Sequence, residues 1–99
     1  MHPLHLSFED GFSNDEVVVT FEGQEVARVS GLQSSLATAL AATRDLQVPS
    51  TEGTVAVSVT ASGLRATTAV DVVETPHLAV AVREGRLVLR TSAEPPQYL

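Results

Sequence analysis

Residues 54–72 carry the clearest pattern in the chain, because apolar and polar side chains alternate on both sides of Ser62 and Gly63. Folding the segment at a two-residue turn there places Val57 opposite Thr68 and puts nearly all the apolar side chains on one face. A one-residue slip in register would expose the valines to water. The segment therefore predicts a β-hairpin with one buried face, in an antiparallel β protein in which other elements cover that face.

Two further hairpins are predicted where Glu-Gly pairs interrupt apolar runs, at residues 22–23 and 84–85. Glycine supplies the positive φ that tight hairpin turns need. Two-residue turns at these points predict two cross-strand pairs, Val19 with Val26 and Val82 with Leu87. Glu-Gly is a weaker turn signal than Asn-Gly, so a three-residue loop with a glycine bulge is the alternative at both points.

The segment between Leu32 and Leu46 fits two structures. Its leucines recur every four residues as far as Leu40, and the alanines between them favour a helix of two or three turns. Threonines such as Thr38, and the alternation of apolar and polar side chains around it, fit a strand instead. We expect a short helix within residues 33–44 and keep the strand as the alternative.

The remaining strand signals lie at residues 4–8 and 46–48, and residues 93–99, with two prolines, predict an irregular tail. About seven short strands with turns about ten residues apart are typical of an antiparallel two-sheet sandwich of the immunoglobulin-like or transthyretin-like kind. A chain of 99 residues has the size of one domain. We therefore expect a single all-β domain over residues 1–99.

Three short stretches also resemble a known family. LQVP at 46–49, GTVAVSV at 53–59 and ASGL at 61–64 are similar to the two central strands of carboxypeptidase regulatory-like, transthyretin-type sandwich modules. The family pattern has aromatic residues where this chain has Val55 and Leu64. The resemblance implies a β-sandwich that serves as a non-catalytic accessory or structural unit, and it carries no functional residue over to this chain.

Charge and composition narrow the classes of partner. The net charge is −6, which argues against nucleic acid and anionic membranes as partners, and all six cations are arginine, a bias common in GC-rich bacterial genomes. The absence of cysteine excludes disulfides and thiolate metal sites. No basic start followed by an apolar run marks a secretion signal. We expect a cytoplasmic protein, and a secreted protein trimmed of its signal would have the same sequence features.

The densest polar cluster is the acidic loop at residues 9–16. Carboxylate and amide oxygens are ligands that calcium prefers, so the loop is a candidate calcium site. Its spacing does not match the alternating aspartates of an EF-hand, and the same residue types are common in a solvated turn. We expect the solvated turn and no cofactor. The candidate ligands are Glu9, Asp10, Asn14, Asp15 and Glu16.

No motif of catalysis appears in the chain. His2 and His5 are three residues apart, which on a strand places them on opposite faces, and nothing in the sequence brings His77 to them. There is no nucleophile elbow and no glycine-rich phosphate loop. We therefore expect a protein that is not an enzyme.

The expected function is that of an interaction or assembly module. Phe12, on a polar loop, and Tyr98, in the tail, are the aromatic residues expected to contact a partner. A sandwich also leaves edge strands, and soluble proteins often protect them with lysine, which this chain lacks. We expect another protein or a second copy to bind an edge strand at residues 4–8 or 87–89, and the competing expectation is that the tail at residues 93–99 folds over the edge and covers it. The alternative is a calcium- or ligand-binding accessory domain that uses residues 9–16.

Overall fold

The computed structural model describes residues 1–33 and 42–95, and these residues form eight β-strands. Four of them, at residues 13–21, 24–33, 52–59 and 77–83, contain two or three valines each, since branched side chains pack well on a pleated surface. The strands are β1 (His2–Phe8), β2 (Ser13–Phe21), β3 (Gln24–Gln33), β4 (Ala42–Val48), β5 (Glu52–Val59), β6 (Arg65–Asp71), β7 (His77–Arg83) and β8 (Arg86–Ser92).

The strands form two sheets of four. One sheet has the order β4-β1-β7-β8 and the other has the order β3-β2-β5-β6. The all-β prediction is confirmed, while the described chain has eight strands where about seven were expected. One pair is parallel, β1 with β7, so the sheets are not wholly antiparallel. A parallel pair requires a long crossover, and here residues 9–76 separate the two strands.

Both sheets contribute to one hydrophobic core, in a sandwich-like arrangement. Inward apolar side chains alternate along the strands with outward ones that are mostly polar or small, as the period of a strand requires. Fully buried members of the core come from four different strands: Leu4, Leu6, Phe8, Val17, Val19, Val55, Val57, Leu78 and Val80.

The central hairpin forms with the predicted buried face but in a different register. Val57 pairs with Ala66 rather than with Thr68, a shift of two residues. The loop spans four residues because Val59 N–H donates to the Leu64 carbonyl (2.8 Å) and Gly63 N–H donates to the Val59 carbonyl (2.9 Å). A shift of two leaves every side chain on its predicted face, since the side-chain period of a strand is two.

The other two hairpins test the turn predictions. The β7–β8 register is confirmed, with Val82 opposite Leu87. In β2–β3 the predicted pair is wrong by one residue, because Val19 pairs with Ala27. The extra residue, Val26, is the kind of register shift that a β-bulge produces. Both turns have positive φ at both central residues, which is the two-residue type I′ geometry.

The helix predicted within residues 33–44 is wrong at both of its ends. Gln33 is the last residue of β3, and residues from Ala42 onward belong to β4. Strand pairing with β1 therefore overrides the local helix preference at Ala42 and beyond. Residues 34–41 lie outside the described residues, as do residues 96–99 of the predicted tail. In the part of the chain that is described, no helix is long and apolar enough to cross a membrane.

Candidate functional site

Four strands lie at sheet edges, and they differ in how they are protected. β4 and β8 are the edges of one sheet, and β3 and β6 are the edges of the other. The prediction of an edge at residues 4–8 is wrong, because β1 lies between β4 and β7. The prediction at residues 87–89 is confirmed, because β8 is an edge strand.

The outward backbone groups of β8 can be identified from the neighbouring strand. Val82 N–H donates to the Asp10 carbonyl (3.0 Å), and the Val80 carbonyl accepts from Glu9 N–H (2.7 Å). These two β7 residues thus direct their backbone groups away from β8. Their partners on β8, Leu87 and Leu89, form non-hydrogen-bonded pairs with them, so their N–H and C=O groups face the free edge.

Thr91 follows the same alternation and is the third residue of β8 with outward backbone groups. Within residues 1–33 and 42–95, no side chain or backbone group bonds to the outward groups of Leu87, Leu89 or Thr91. This row of three residues is called the β8 edge below. It is a ready template for an additional strand.

The edge strand β3 is protected by its irregular pairing. Its register with β2 shifts near Asp15, Val17 and Val19. Such shifts twist an edge and interrupt the regular row of hydrogen-bonding groups that a second strand would need.

The edge strand β4 is protected by a charge. Arg44 pairs with the buried Leu6, which places it on the inward side of the strand, yet its side chain is exposed. Its Nη1 donates to the Thr43 carbonyl (2.7 Å). An inward-pointing charge disfavours the approach of another strand, because the charge would lose its water.

The edge strand β6 has its outward groups partly bonded. The Thr54 carbonyl accepts from Glu22 N–H (2.9 Å), so the backbone groups of Thr54 point away from β6. Ala69 lies opposite Thr54 in a non-hydrogen-bonded pair, and its carbonyl therefore faces the free edge. That carbonyl accepts from the Thr68 hydroxyl (3.3 Å). At the end of β6, the Asp71 carbonyl accepts from Thr75 N–H (2.7 Å). Among the described strands, β8 thus has the least protected edge.

The apolar side chains of β8 are only partly buried. Leu87 and Leu89 face inward and pack on the core but are only half-buried, and Val88 on the outer face is 36% exposed. A depression of about 450 Å³ lies beside the end of the strand. Its lining residues are His77, Ala79, Arg90, Thr91 and Ser92.

Cations are concentrated on the side of the molecule formed by β6, β7 and β8. Four of the six arginines lie there: Arg65, Arg83, Arg86 and Arg90. Arg90 Nη2 lies 2.6 Å from Glu9 Oε1, and Arg83 Nη2 lies 3.2 Å from Asp10 Oδ1. In the described part of the chain, Arg65 and Arg86 form no ion pair, and both are exposed. Arg65 and Arg86 are therefore the two cations on this side that have no carboxylate partner in the described residues.

Three carboxylates of the acidic loop at residues 9–16 contact arginines. Glu9 is 5% exposed and contacts Arg90 and, at 3.9 Å, Arg83, which also contacts Asp10. Glu16 Oε1 lies 2.8 Å from Arg28 Nη1 on β3. These carboxylates therefore attach the β1–β2 connection to neighbouring strands, and their oxygens are directed at arginines rather than at one shared point.

The other two candidate ligands, Asp15 and Asn14, are explained by the backbone of the loop. Asp15 Oδ2 accepts from Ser13 N–H (2.9 Å), the kind of local bond that aspartate makes in turns. Asn14 has a φ of 53°, in the left-handed region that asparagine tolerates better than most residues. Among the described residues, no group of three or more histidine, aspartate or glutamate side chains is placed to hold a metal ion.

Arg28 connects two acidic residues of different strands. The hydrogen bond and charge of Glu25, followed by the charge of Glu16, raise the pKa of the Arg28 guanidinium above its ordinary value. Arg28 Nη2 lies 2.9 Å from Glu25 Oε1. The group is solvent-exposed, so the ion pairs orient side chains on the outer face of β2 and β3 and form no pocket.

The aromatic residue expected to contact a partner is placed differently. Phe12 is 4% exposed, so the prediction that it is a surface contact is wrong. Its ring packs edge-on against Phe8, with centroids 5.9 Å apart and an interplanar angle of 81°. The β1–β2 connection folds back over the end of the core, and burial of the ring accounts for an aromatic residue in a polar segment. Tyr98 lies outside the described residues.

The parallel pairing brings together two histidines that no sequence pattern connects. His5 and His77 are register partners on β1 and β7, and their rings stack with centroids 4.9 Å apart. His5 Nδ1 lies 2.7 Å from Asp45 Oδ1 on β4. Stacked rings direct their nitrogen lone pairs along parallel planes, so the two nitrogens do not converge on one ion. Only the topology of the sheet reveals this cluster.

No protein-family model, no curated protein and no solved structure matches this chain.

Proposed function

We propose that this protein is a non-catalytic interaction or assembly module that binds another protein, or a second copy of itself, by strand addition at the β8 edge. The observation that carries the proposal is the row of outward backbone groups at Leu87, Leu89 and Thr91, which have no partner within the described chain. The other three edges carry register shifts, an inward arginine or a hydroxyl contact.

Strand addition would satisfy the backbone and extend the core together. An antiparallel partner would exchange about six hydrogen bonds with the three residues, each contributing a net ~0.5–1.5 kcal/mol. The half-buried Leu87 and Leu89 would lose further contact with water. Association costs at least about 4 kcal/mol in lost freedom, so backbone bonds alone support weak binding and side chains must supply the rest.

The proposal also covers the role, the compartment and the fold class, for which the support comes from the sequence and the sheet topology. The likeness to carboxypeptidase regulatory-like modules supports a non-catalytic accessory role. The cytoplasm is the proposed compartment, and the two-sheet arrangement of four strands each is compatible with the immunoglobulin-like or transthyretin-like class.

The test uses a variant that changes only one outward amide. Thr91→Pro removes the N–H that faces the free edge and leaves the bonds between β7 and β8 intact. Thr91→Ala is the matched control, because it changes the side chain and keeps the amide. Circular dichroism melts of both variants establish that each is folded.

Binding is then measured in two ways. Light scattering across micromolar to millimolar concentrations reports self-association, and titration of purified co-purifying proteins reports hetero-association. We expect Thr91→Pro to weaken the complex at least tenfold and Thr91→Ala to leave it nearly unchanged. Equal binding by the two variants, or a wild-type protein that neither self-associates nor binds any co-purifying protein, would overturn the proposal.

A further inference from the structure

The outer face of β8 has a charge pattern that an added strand would contact directly. Arg86, Val88 and Arg90 alternate along it, with an exposed apolar side chain between two exposed cations. In a sheet, residues directly opposite one another on neighbouring strands share a face and lie within contact distance. A strand added to β8 would therefore place its own alternate residues against these three.

We infer that the partner is a segment of another protein with an acidic–x–apolar–x–acidic pattern, added to the β8 edge. This inference rests on the proposed function. Its support is charge complementarity: Arg86 has no ion pair within the described chain, while the protein as a whole carries a net charge of −6. Opposite charges on neighbouring strands attract, and like charges directly opposite each other repel.

A second copy of the chain fits this edge less well. Antiparallel self-pairing centred on Val88 places Arg86 opposite the Arg90 of the other copy, and pairing centred on Arg90 places that residue opposite itself. Pairing centred on Leu89 avoids direct opposition but leaves arginines diagonal to one another, within reach of long side chains. Of these three registers, only the one centred on Arg90 offers a carboxylate, because it places Arg86 opposite Glu94 of the other copy, but it also sets the two Arg90 side chains against each other. An acidic strand would place a carboxylate against both Arg86 and Arg90.

The two arginines are not equivalent. Arg90 already contacts the buried carboxylate of Glu9, at 2.6 Å. Arg86 stands opposite Arg83, a like-charge pair, and would gain the most from a carboxylate. Arg86 is therefore expected to dominate the preference for acidic partners. Because both arginines are exposed, the preference should weaken at high ionic strength, where the Debye length falls to about 3 Å at 1 M.

The experiment uses three labelled heptapeptides that differ only in charge. All have valine at the centre and threonine elsewhere, and the second and sixth positions are both glutamate, both lysine or both glutamine. Fluorescence anisotropy measures their binding to wild type, Arg86→Glu, Thr91→Pro and Thr91→Ala. Arg86→Glu replaces the like-charge pair with Arg83 by an opposite-charge pair, so it is expected to fold, and its melting curve verifies this.

We expect the wild type to bind the glutamate peptide at least tenfold more tightly than the lysine peptide, and the preference to reverse in Arg86→Glu. Binding should weaken at least tenfold in Thr91→Pro and be retained in Thr91→Ala. Equal binding of all three peptides that weakens as much in Thr91→Pro would overturn the acidic preference and leave strand addition standing. Binding of the glutamate peptide that is as tight in Thr91→Pro as in the wild type would overturn both.

Two other outcomes count against the inference alone. Absence of binding by every peptide at millimolar concentration overturns the acidic pattern, while the proposed function is decided by its own measurements. Self-association of the wild type that excludes the glutamate peptide and is lost in Thr91→Pro would identify a second copy as the occupant of the edge.

Discussion

The burial of Val57 gives the sharpest test of the face assignment in the central hairpin. Val57 is 0% exposed and lies in β5 between Val19 of β2 and Ala66 of β6. Its neighbour Ser58 points to the opposite face and lies opposite Arg65. Substitutions at Val57 and Ser58 therefore compare a core position with an outer-face position at neighbouring points of the same strand.

The expected magnitudes follow from burial. Val57→Ala removes two carbon groups that contribute about 0.8 kcal/mol each by transfer, or about 1.6 kcal/mol together. The cavity left behind raises the loss to about 2–3 kcal/mol. At ~4–8 °C per kcal/mol for a domain of this size, the melting temperature should fall by about 10–20 °C. Val57→Asp buries an unpaired charge and should prevent folding.

The matched control is Ser58→Asp. The new carboxylate would stand opposite Arg65, and this attraction offsets the weak strand preference of aspartate. The net change in the free energy of unfolding should stay within about 0.5 kcal/mol.

Far-UV circular dichroism during urea and thermal unfolding measures all three variants, since the chain has no tryptophan for fluorescence. Similar destabilisation by Val57→Asp and Ser58→Asp, or a loss below about 0.5 kcal/mol for Val57→Ala, would refute the assignment of faces.

Three other predictions follow from local geometry. A Cβ added at Gly53 would overlap the ring of Phe21, so Gly53→Ala should destabilise the fold by about 1–3 kcal/mol in urea unfolding; an unchanged midpoint would contradict this packing. Glu22 has a φ of 49°, so Glu22→Asn, which suits a type I′ turn, should stabilise by about 0.5 kcal/mol, and a lower melting temperature would contradict it. Millimolar calcium should leave the melting temperature nearly unchanged, because the loop carboxylates face arginines; a rise of several degrees that Asp10→Asn and Asp15→Asn abolish would establish a calcium site.

The alternation of apolar and polar residues predicted the face on which each side chain lies more reliably than it predicted which residues pair across neighbouring strands. A shift of two residues keeps every side chain on its face, so the alternation in residues 54–72 could not distinguish the register found from the one predicted. The β7–β8 register was predictable because the turn at residues 84–85 has two residues and the strands on both sides are regular. In β2–β3 the turn was equally tight, but the extra residue Val26 has no signal in the sequence.

Features that depend on distant parts of the chain were not predictable in the same way. The parallel pairing of β1 with β7 moves β1 from an edge to the interior of its sheet, and it stacks His5 on His77. Phe12 is buried because the end of the core happens to lie beneath its loop. The position of β1, the histidine stack and the burial of Phe12 all depend on how distant parts of the chain pack together. Local preference carries no information about that packing.

The β8 edge also stands out as the place where the sequence departs from what stability alone would favour. Arg83 lies opposite Arg86, and Val88 is exposed on the outer face. Elsewhere in the described chain, Arg28 contacts two carboxylates, and edges carry register shifts or covered carbonyls. Local conflicts in an otherwise consistent sequence are expected at functional positions, where another requirement outweighs stability. A carboxylate from a partner strand would relieve the repulsion at Arg86 and cover Val88 in one step, which is why both conflicts point to the same occupant of the edge.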